Sequence, residues 1–351
     1  MPVMPSVSQA NDSVMRSVLV VDDENVVRDL MSRWLQAGGY SVASASGAVE
    51  ALALMESLSP AVALCDIRMP GRDGFWLADR IRQKHPETAV IMATGLRDAR
   101  VAVATLGDGV VDCLTKPFNR EQLREAVGRG LEWHRSARDS RCWHERLDAE
   151  VESRHARLAD AIGILHLDSD GTLDALLSIL ASGDRDAYAH ARRVAAIAVE
   201  VARALGLPDH EVAVIRRAAL LHDLGKLAMP DALLRKPAPL TAEELAIVRR
   251  YPALGASLIA NLPYLEEAAD IVRDLRERPD GQGYPVGLRA AGISIGARIV
   301  AVADAYDTMT NPRVFRDPLG TLDALLEMER CSGTQFDPAV FGVLRRVVDV
   351  H

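Results

Sequence analysis

Five polar residues in the first third of the chain stand at or just past the ends of short apolar runs. Val18–Val21 leads into Asp22-Asp23, Val62–Cys65 into Asp66, Ala89–Met92 into Thr94-Gly95, and Val110–Leu114 into Thr115-Lys116. Two or three crowded carboxylates demand a cation, and hard oxygen donors in that number suit Mg²⁺. A lysine and a hydroxyl beside that ion complete a pocket for a phosphoryl group. A second set lies downstream. Asp186 and His190 are four apart, His222-Asp223 ends an apolar stretch and is followed by Gly225-Lys226, and Asp304 follows the apolar run Ile299–Ala303. Buried His and Asp are costly unless paired or bound to metal. Two His and two Asp from three helices make a mononuclear metal site with positions open for water. Taken singly, Asp23 reads as a helix N-cap, Lys116-Pro117 as a turn and His190 as a satisfied core histidine. Their combination favours sites.

The elements that must position these groups differ between the two halves. In the first, short continuous apolar strands alternate with helical patterns at about 47–57, 73–84, 98–107 and 119–131. That alternation predicts an α/β, doubly wound parallel sheet covered on both faces, with ligands at the carboxyl ends of its strands. Residues 1–17 read as a disordered lead-in and 18–131 as the α/β domain. Over 132–170 the composition turns to Arg, His, Asp and Glu. Trp143, Leu147, Val151, Leu158, Ile162 and Leu165 recur at helical steps, and Arg154 interrupts them. This helical linker either packs on a partner helix, in a homodimer, or stands solvated. Residues 171–345 read as an all-α domain, with breaks at Gly206-Leu207-Pro208, Pro237 and Asp280–Pro285.

Composition removes several classes of function. The 351 residues suffice for two domains of roughly 100–200 residues each. A net charge of −8 argues against wholesale neutralisation of a nucleic-acid backbone, and no basic helix-turn-helix signal points to DNA. The four cysteines are scattered without a CxxC pair, which fits a reducing cytoplasm rather than a disulfide scaffold. The longest uncharged run, Tyr251–Leu265, contains two prolines and falls short of the roughly 18 apolar residues of a membrane span. The amino terminus has no pattern of a secretory signal.

The motifs VLVVDDE, LCDIRMPGRDG, MATG and LTKPF, in that order, resemble the receiver domain of bacterial two-component response regulators. The resemblance implies a five-stranded sheet in which Asp66 accepts a phosphoryl group from a sensor histidine kinase. Asp22, Asp23, Asp66 and the backbone carbonyl of Arg68 would hold Mg²⁺, and Thr94 and Lys116 would contact the phosphoryl oxygens. The aromatic switch residue of the family is replaced by Cys113, so coupling to the output takes another route or is weak.

The second half resembles the HD-GYP domain, in the runs HDLGKLAMPDALLRKPAPLTAEE, DGQGYP and ADAYDTMTNPRVFR. That family hydrolyses cyclic di-GMP at a bi- or trinuclear metal centre. By resemblance His190, His222, Asp223 and Asp304 would bind metal, a divalent transition ion such as Mn²⁺ or Fe²⁺, with Asp186 where the family has Glu. Lys226 would polarise a phosphate, Arg313 and Arg316 would hold phosphates or guanines, and Gly283-Tyr284-Pro285 would shape the loop beside the site. Three histidines of the family are missing. Tyr251, Leu275 and Arg276 stand in their places, and none of the nine histidines falls between residues 223 and 350. A second metal would lack its imidazoles. The Arg276 guanidinium is then a candidate to replace that cation and pair with a phosphate, binding the ester without generating a hydroxide. Three outputs follow: a metal-dependent cyclic di-GMP phosphodiesterase, a receptor binding the nucleotide through Arg276, Arg313 and Arg316, or a docking module for a protein such as a diguanylate cyclase.

Overall fold

A computed structural model describes residues 16–95, 110–163, 169–183, 185–262, 264–312 and 317–348. The chain divides into two compact units, Met1–Trp143 and His144–His351. Most of the lead-in, the helix expected at 98–107, Leu165, Arg313 and Arg316 lie outside the described residues.

In the first unit the order is β1 (Ser17–Val21), α1 (Asn25–Gln36), β2 (Ser41–Ala45), α2 (Ala48–Leu58), β3 (Val62–Asp66), α3 (Gly74–Lys84), β4 (Ala89–Gly95), β5 (Val110–Lys116) and the long α4 (Arg120–Gly163). The sheet runs β2-β1-β3-β4-β5, and every pairing is parallel. Side chains alternate across a strand, so the apolar runs serve two cores. Leu19, Val21, Ala63 and Cys65 pack with Met55, Leu77 and Ile81 on one face. Val18, Val20, Val62 and Leu64 pack with Met31, Leu35, Leu123 and Val127 on the other. Burial on both faces is why these strands read as unbroken hydrophobic runs.

The edge strand β2 is the element that residue pattern alone does not reveal. Its sequence, SVASA, is mostly exposed or half-buried and is poor in β-branched residues.

The second unit is helical: α5 (Ser169–Gly183), α6 (Arg185–Ala204), α7 (Asp209–Leu221), α8 (Asp231–Leu234), α9 (Ala242–Val248), α10 (Tyr251–Ile259), α11 (Glu266–Asp274), α12 (Ile295–Thr310), α13 (Thr321–Arg330) and α14 (Pro338–Val348). One apolar core unites α6, α7, α11 and α12 through residues such as Val194, Ala198, Ile215, Val272 and Val300. The later part of α4 belongs to this unit. Leu147 and Val151 pack with Met229, Leu233, Ile247 and Tyr251, and Ile162 joins the main core. The Arg154 interruption has a local cause, since its guanidinium donates to the Met229 carbonyl oxygen at 3.0 Å. Much of the linker stripe is therefore buried within its own unit, a third arrangement beside the two that periodicity left open. Among the described residues no helix is long and apolar enough to cross a membrane.

Candidate functional site

The first site forms at the carboxyl edge of the sheet, beside the point where strand order reverses about β1. Asp22 follows β1, Asp66 ends β3, Thr94 lies on β4 and Lys116 ends β5. Carboxylate oxygens of Asp22, Asp23 and Asp66 lie within 4.8 Å of one another. The Lys116 ammonium donates to Asp22 Oδ2 at 2.7 Å and lies 3.1 Å from Asp66 Oδ1. Burial pushes the Asp66 carboxyl up despite the opposing Lys116 charge. Burial would depress Lys116, but Asp22 and Asp66 outweigh it and raise it. Three carboxylates against one ammonium leave an excess of two negative charges, the balance a divalent ion such as Mg²⁺ would meet.

Thr94 is buried, with its hydroxyl donating to the Gly95 carbonyl. Arg68 lies in the turn after β3. A Cβ on Gly74 would stand 2.2 Å from the Asp66 carbonyl oxygen, so a glycine is needed where α3 starts against the acidic loop. Cys113 is half-buried against one of the two sheet cores.

The second site gathers side chains from α6, α7 and α12. His190, on α6, is buried and T-stacked on His222 with ring centroids 5.2 Å apart. Ligand atoms of His190, His222 and Asp223 lie within 4.8 Å of one another. Asp304 Oδ1 lies 3.0 Å from His190 Nε2 and 3.7 Å from His222 Nε2.

The hydrogen bonds fix what this cluster wants. His222 Nδ1 is 2.8 Å from the Ala219 carbonyl oxygen, which only accepts, so Nδ1 carries the proton and Nε2 presents a lone pair. That Nε2 faces Asp223 Oδ1 at 3.4 Å, and both atoms are buried without a hydrogen-bond partner. Two buried acceptors facing each other are unfavourable unless a cation lies between them. Imidazole nitrogens with carboxylate oxygens suit a divalent transition metal, and the donor set fits one.

Burial would depress His190, but hydrogen bonds to Asp304 and Asp307 outweigh it and raise the imidazole to about 9. Burial would raise Asp223, yet the Lys226 ammonium beside it holds it well below the carboxylate range. Asp304 is likewise held low, above all by Arg276.

Asp307 is the functional group that the sequence motifs did not single out. It sits three residues after Asp304, on the same face of α12, accepts from His190 Nδ1 at 2.6 Å and is gripped by Arg193 at 2.7 and 3.0 Å. Asn311 Nδ2 adds a bond at 3.0 Å. Such a carboxylate fixes the tautomer and ring orientation of a metal-binding histidine. The i, i+3 spacing from Asp304 was the available signal.

Three residues that stand where the family has histidine behave differently from one another. Leu275 is buried in the fold. Tyr251 is also buried, which pushes its phenol up, and it accepts from Arg276 Nε at 2.6 Å. Arg276 reaches into the site, with Nη2 2.9 Å from Asp304 Oδ2. Lys226 pairs with Asp223 Oδ2 at 2.7 Å and lies 5.3 Å from the Tyr251 ring. Asp186 is exposed, one turn before His190, rather than buried with the cluster.

The 280–288 loop is tied down by Glu277. Its buried carboxylate accepts N–H groups of Val286, Gly287 and Leu288 at 2.7–3.0 Å. Gly283 has no room for a side chain, since a Cβ would fall 2.4 Å from the Arg278 nitrogen. Tyr284, beside Pro285, lies 5.4 Å from the Arg249 guanidinium.

Comparison with known proteins finds both domains. The family model described as the response regulator receiver domain matches residues 18–128, and the HD domain model matches 174–340. A cyclic di-GMP phosphodiesterase of Thermotoga maritima is 31% identical, covering 92% of this chain and 88% of the relative. The cyclic di-GMP phosphodiesterase response regulator RpfG of Xanthomonas campestris pv. campestris is 31% identical, covering 94% of this chain and 87% of the relative. With both domain models matched in order and these relatives aligned along more than nine-tenths of its length, the chain belongs to the family of response regulators that join a receiver domain to an HD domain.

Proposed function

We propose that this protein is a response regulator phosphorylated on Asp66, whose HD domain is a metal-dependent phosphodiesterase acting on cyclic di-GMP. The observation that carries the catalytic half is the orphaned pair of acceptors, His222 Nε2 and Asp223 Oδ1, beside His190 and Asp304. These four residues would hold one divalent metal. A bound divalent ion supplies electrophilic assistance at phosphorus and eases deprotonation of the attacking water.

The chain does the rest. Asp307 holds the His190 ring, and the Ala219 carbonyl holds that of His222. Lys226, about one-third exposed, offers its ammonium to a phosphate oxygen while remaining on Asp223. The Glu277 carboxylate keeps Gly283-Tyr284-Pro285 beside the site, where Tyr284 with Arg249 offers a flat face to a nucleobase. Hydrolysis opens one phosphodiester bond and gives a linear dinucleotide.

In the receiver, Asp22, Asp23, Asp66 and the Arg68 carbonyl would hold Mg²⁺. Lys116 and Thr94 would meet the phosphoryl oxygens delivered by an upstream histidine kinase. Arg313 and Arg316 remain proposed nucleotide contacts on family resemblance.

The Arg276–Asp304 ion pair favours a second reading, a nucleotide receptor without turnover, because a guanidinium binds phosphate and does not activate water. The test is cyclic di-GMP incubated with protein reconstituted with Mn²⁺ under reducing conditions. Linear product that disappears in His222→Ala supports the phosphodiesterase. Tight binding with no product selects the receptor.

A further inference from the structure

Asp223 and Asp304 each divide their two oxygens between different partners. The Oδ1 atoms face the imidazoles, at 3.4 Å from His222 Nε2 for Asp223 and 3.0 Å from His190 Nε2 for Asp304. The Oδ2 atoms face side-chain cations, Lys226 Nζ at 2.7 Å and Arg276 Nη2 at 2.9 Å. An aspartate that bridges two metals needs both oxygens for them. Here the second oxygen of each already has a positive partner that belongs to the chain.

The surroundings on that side reinforce the point. Tyr251 accepts a hydrogen bond from Arg276 Nε and lies beneath the Lys226 ammonium. Its phenol is neutral and hydrogen-bonded, a poor metal donor. Leu275 offers none, and no histidine follows His222 before His351. The charges also close. Asp223 and Asp304 balance Lys226 and Arg276, so one divalent ion leaves a surplus of two positive charges. A substrate carrying two phosphodiester charges would neutralise that surplus, whereas a second ion would be set against two fixed cations.

We infer that Arg276, standing with Tyr251 and Leu275 in place of imidazoles, limits the HD site to a single divalent metal, and that Arg276, held by Tyr251 and Asp304, receives a phosphate of the nucleotide. Nε and Nη2 of Arg276 are engaged within the site, and among the described residues no hydrogen-bond partner takes Nη1. About one-third of the Arg276 side chain is exposed. Its planar fork suits two phosphate oxygens better than an ammonium would. The inference takes its nucleotide from the phosphodiesterase reading, but the metal count stands independently of turnover.

Two measurements on the full-length protein test it. In the first, Mn²⁺ bound per chain is compared between the wild type and His190→Ala/His222→Ala, which cancels the metal held by the receiver. The expected difference is one ion, and a difference of two overturns the inference. In the second, cyclic di-GMP affinity is measured by calorimetry in EDTA for the wild type, Arg276→Gln and Arg276→Lys. Loss of a hydrogen-bonded charge is expected to weaken binding about ten- to a hundred-fold in Arg276→Gln, with Arg276→Lys between. Affinity within two-fold of wild type in Arg276→Gln, or no measurable binding by the metal-free wild type, removes the role given to Arg276. Circular dichroism melts identify any variant that fails to fold, and Arg276→Lys, which keeps the charge beside Asp304, then carries the comparison alone. One bound ion with Arg276-dependent binding and no turnover would end the phosphodiesterase reading and leave this inference standing. Turnover with two ions would do the reverse.

Discussion

Replacing Asp307 by Asn removes one negative charge while keeping the shape of the side chain. In the native protein that carboxylate accepts hydrogen bonds from His190 Nδ1 at 2.6 Å and from both arms of Arg193 at 2.7 and 3.0 Å. Arg193 is 42% exposed, so water replaces most of what it loses, and its share of the cost is small. The His190 bond is buried, and hydrogen bonds to charged groups are worth about 1.5–3 kcal/mol. Asn still accepts through its amide oxygen, so the expected loss of stability lies near the lower end, about 1–2 kcal/mol. The effect on metal should exceed that on folding. Loosening the partner of a metal-binding imidazole commonly costs about 10- to 100-fold in affinity. Calorimetric titration of metal-free protein with Mn²⁺, beside urea denaturation of the same sample, separates the two. Mn²⁺ affinity within two-fold of wild type would refute the role of Asp307 in aligning His190.

Gly225→Ala should destabilise the HD domain by about 1–3 kcal/mol or more, because its Cβ would fall 1.9 Å from the Tyr251 carbonyl oxygen; an unchanged thermal midpoint would contradict that close approach. Burial would raise Asp337, but Arg298 and the N–H groups of Val340 and Ala339 outweigh it and lower the carboxyl. Its contribution is therefore present above the ordinary value of 3.8 and lost as pH falls through the lower folded value. Urea denaturation at several pH values should show Asp337→Asn less stable than wild type at pH 7, with the gap closing only below 3.8. Cys65 is buried and its thiol is pushed up to about 12 by desolvation, so a thiol reagent at pH 8 should label exposed Cys142 and spare Cys65 until the protein unfolds.

The receiver was readable because its chemistry sits at the ends of buried strands. Four apolar runs, each closing on Asp, Thr or Lys, give both the sheet and the edge where ligands bind. The strand Ser41–Ala45 left no such trace, since it lies at the sheet edge, mostly exposed or half-buried, with small residues. In the HD domain His222-Asp223 and Asp304 announced themselves as charges inside apolar helices. Asp307 did not, because its meaning depends on His190 and Arg193, more than a hundred residues away in sequence. The side chain of Arg276 follows from a residue type standing where an imidazole was expected, but its pairing with Asp304 and Tyr251 needed three dimensions. The linker stripe misled for a related reason. Periodicity identifies a buried face without naming its partner, and here Leu147 and Val151 find theirs within the same chain.

In the proposed HD site four side chains and one metal suffice for hydrolysis. The most direct test follows cyclic di-GMP turnover while Mn²⁺ is titrated into metal-free protein, with linear dinucleotide measured by chromatography. Product should rise to a plateau when the HD site has taken up one ion, with none formed by His222→Ala. Bound cyclic di-GMP that stays intact at every Mn²⁺ concentration would contradict that expectation and leave the domain a receptor.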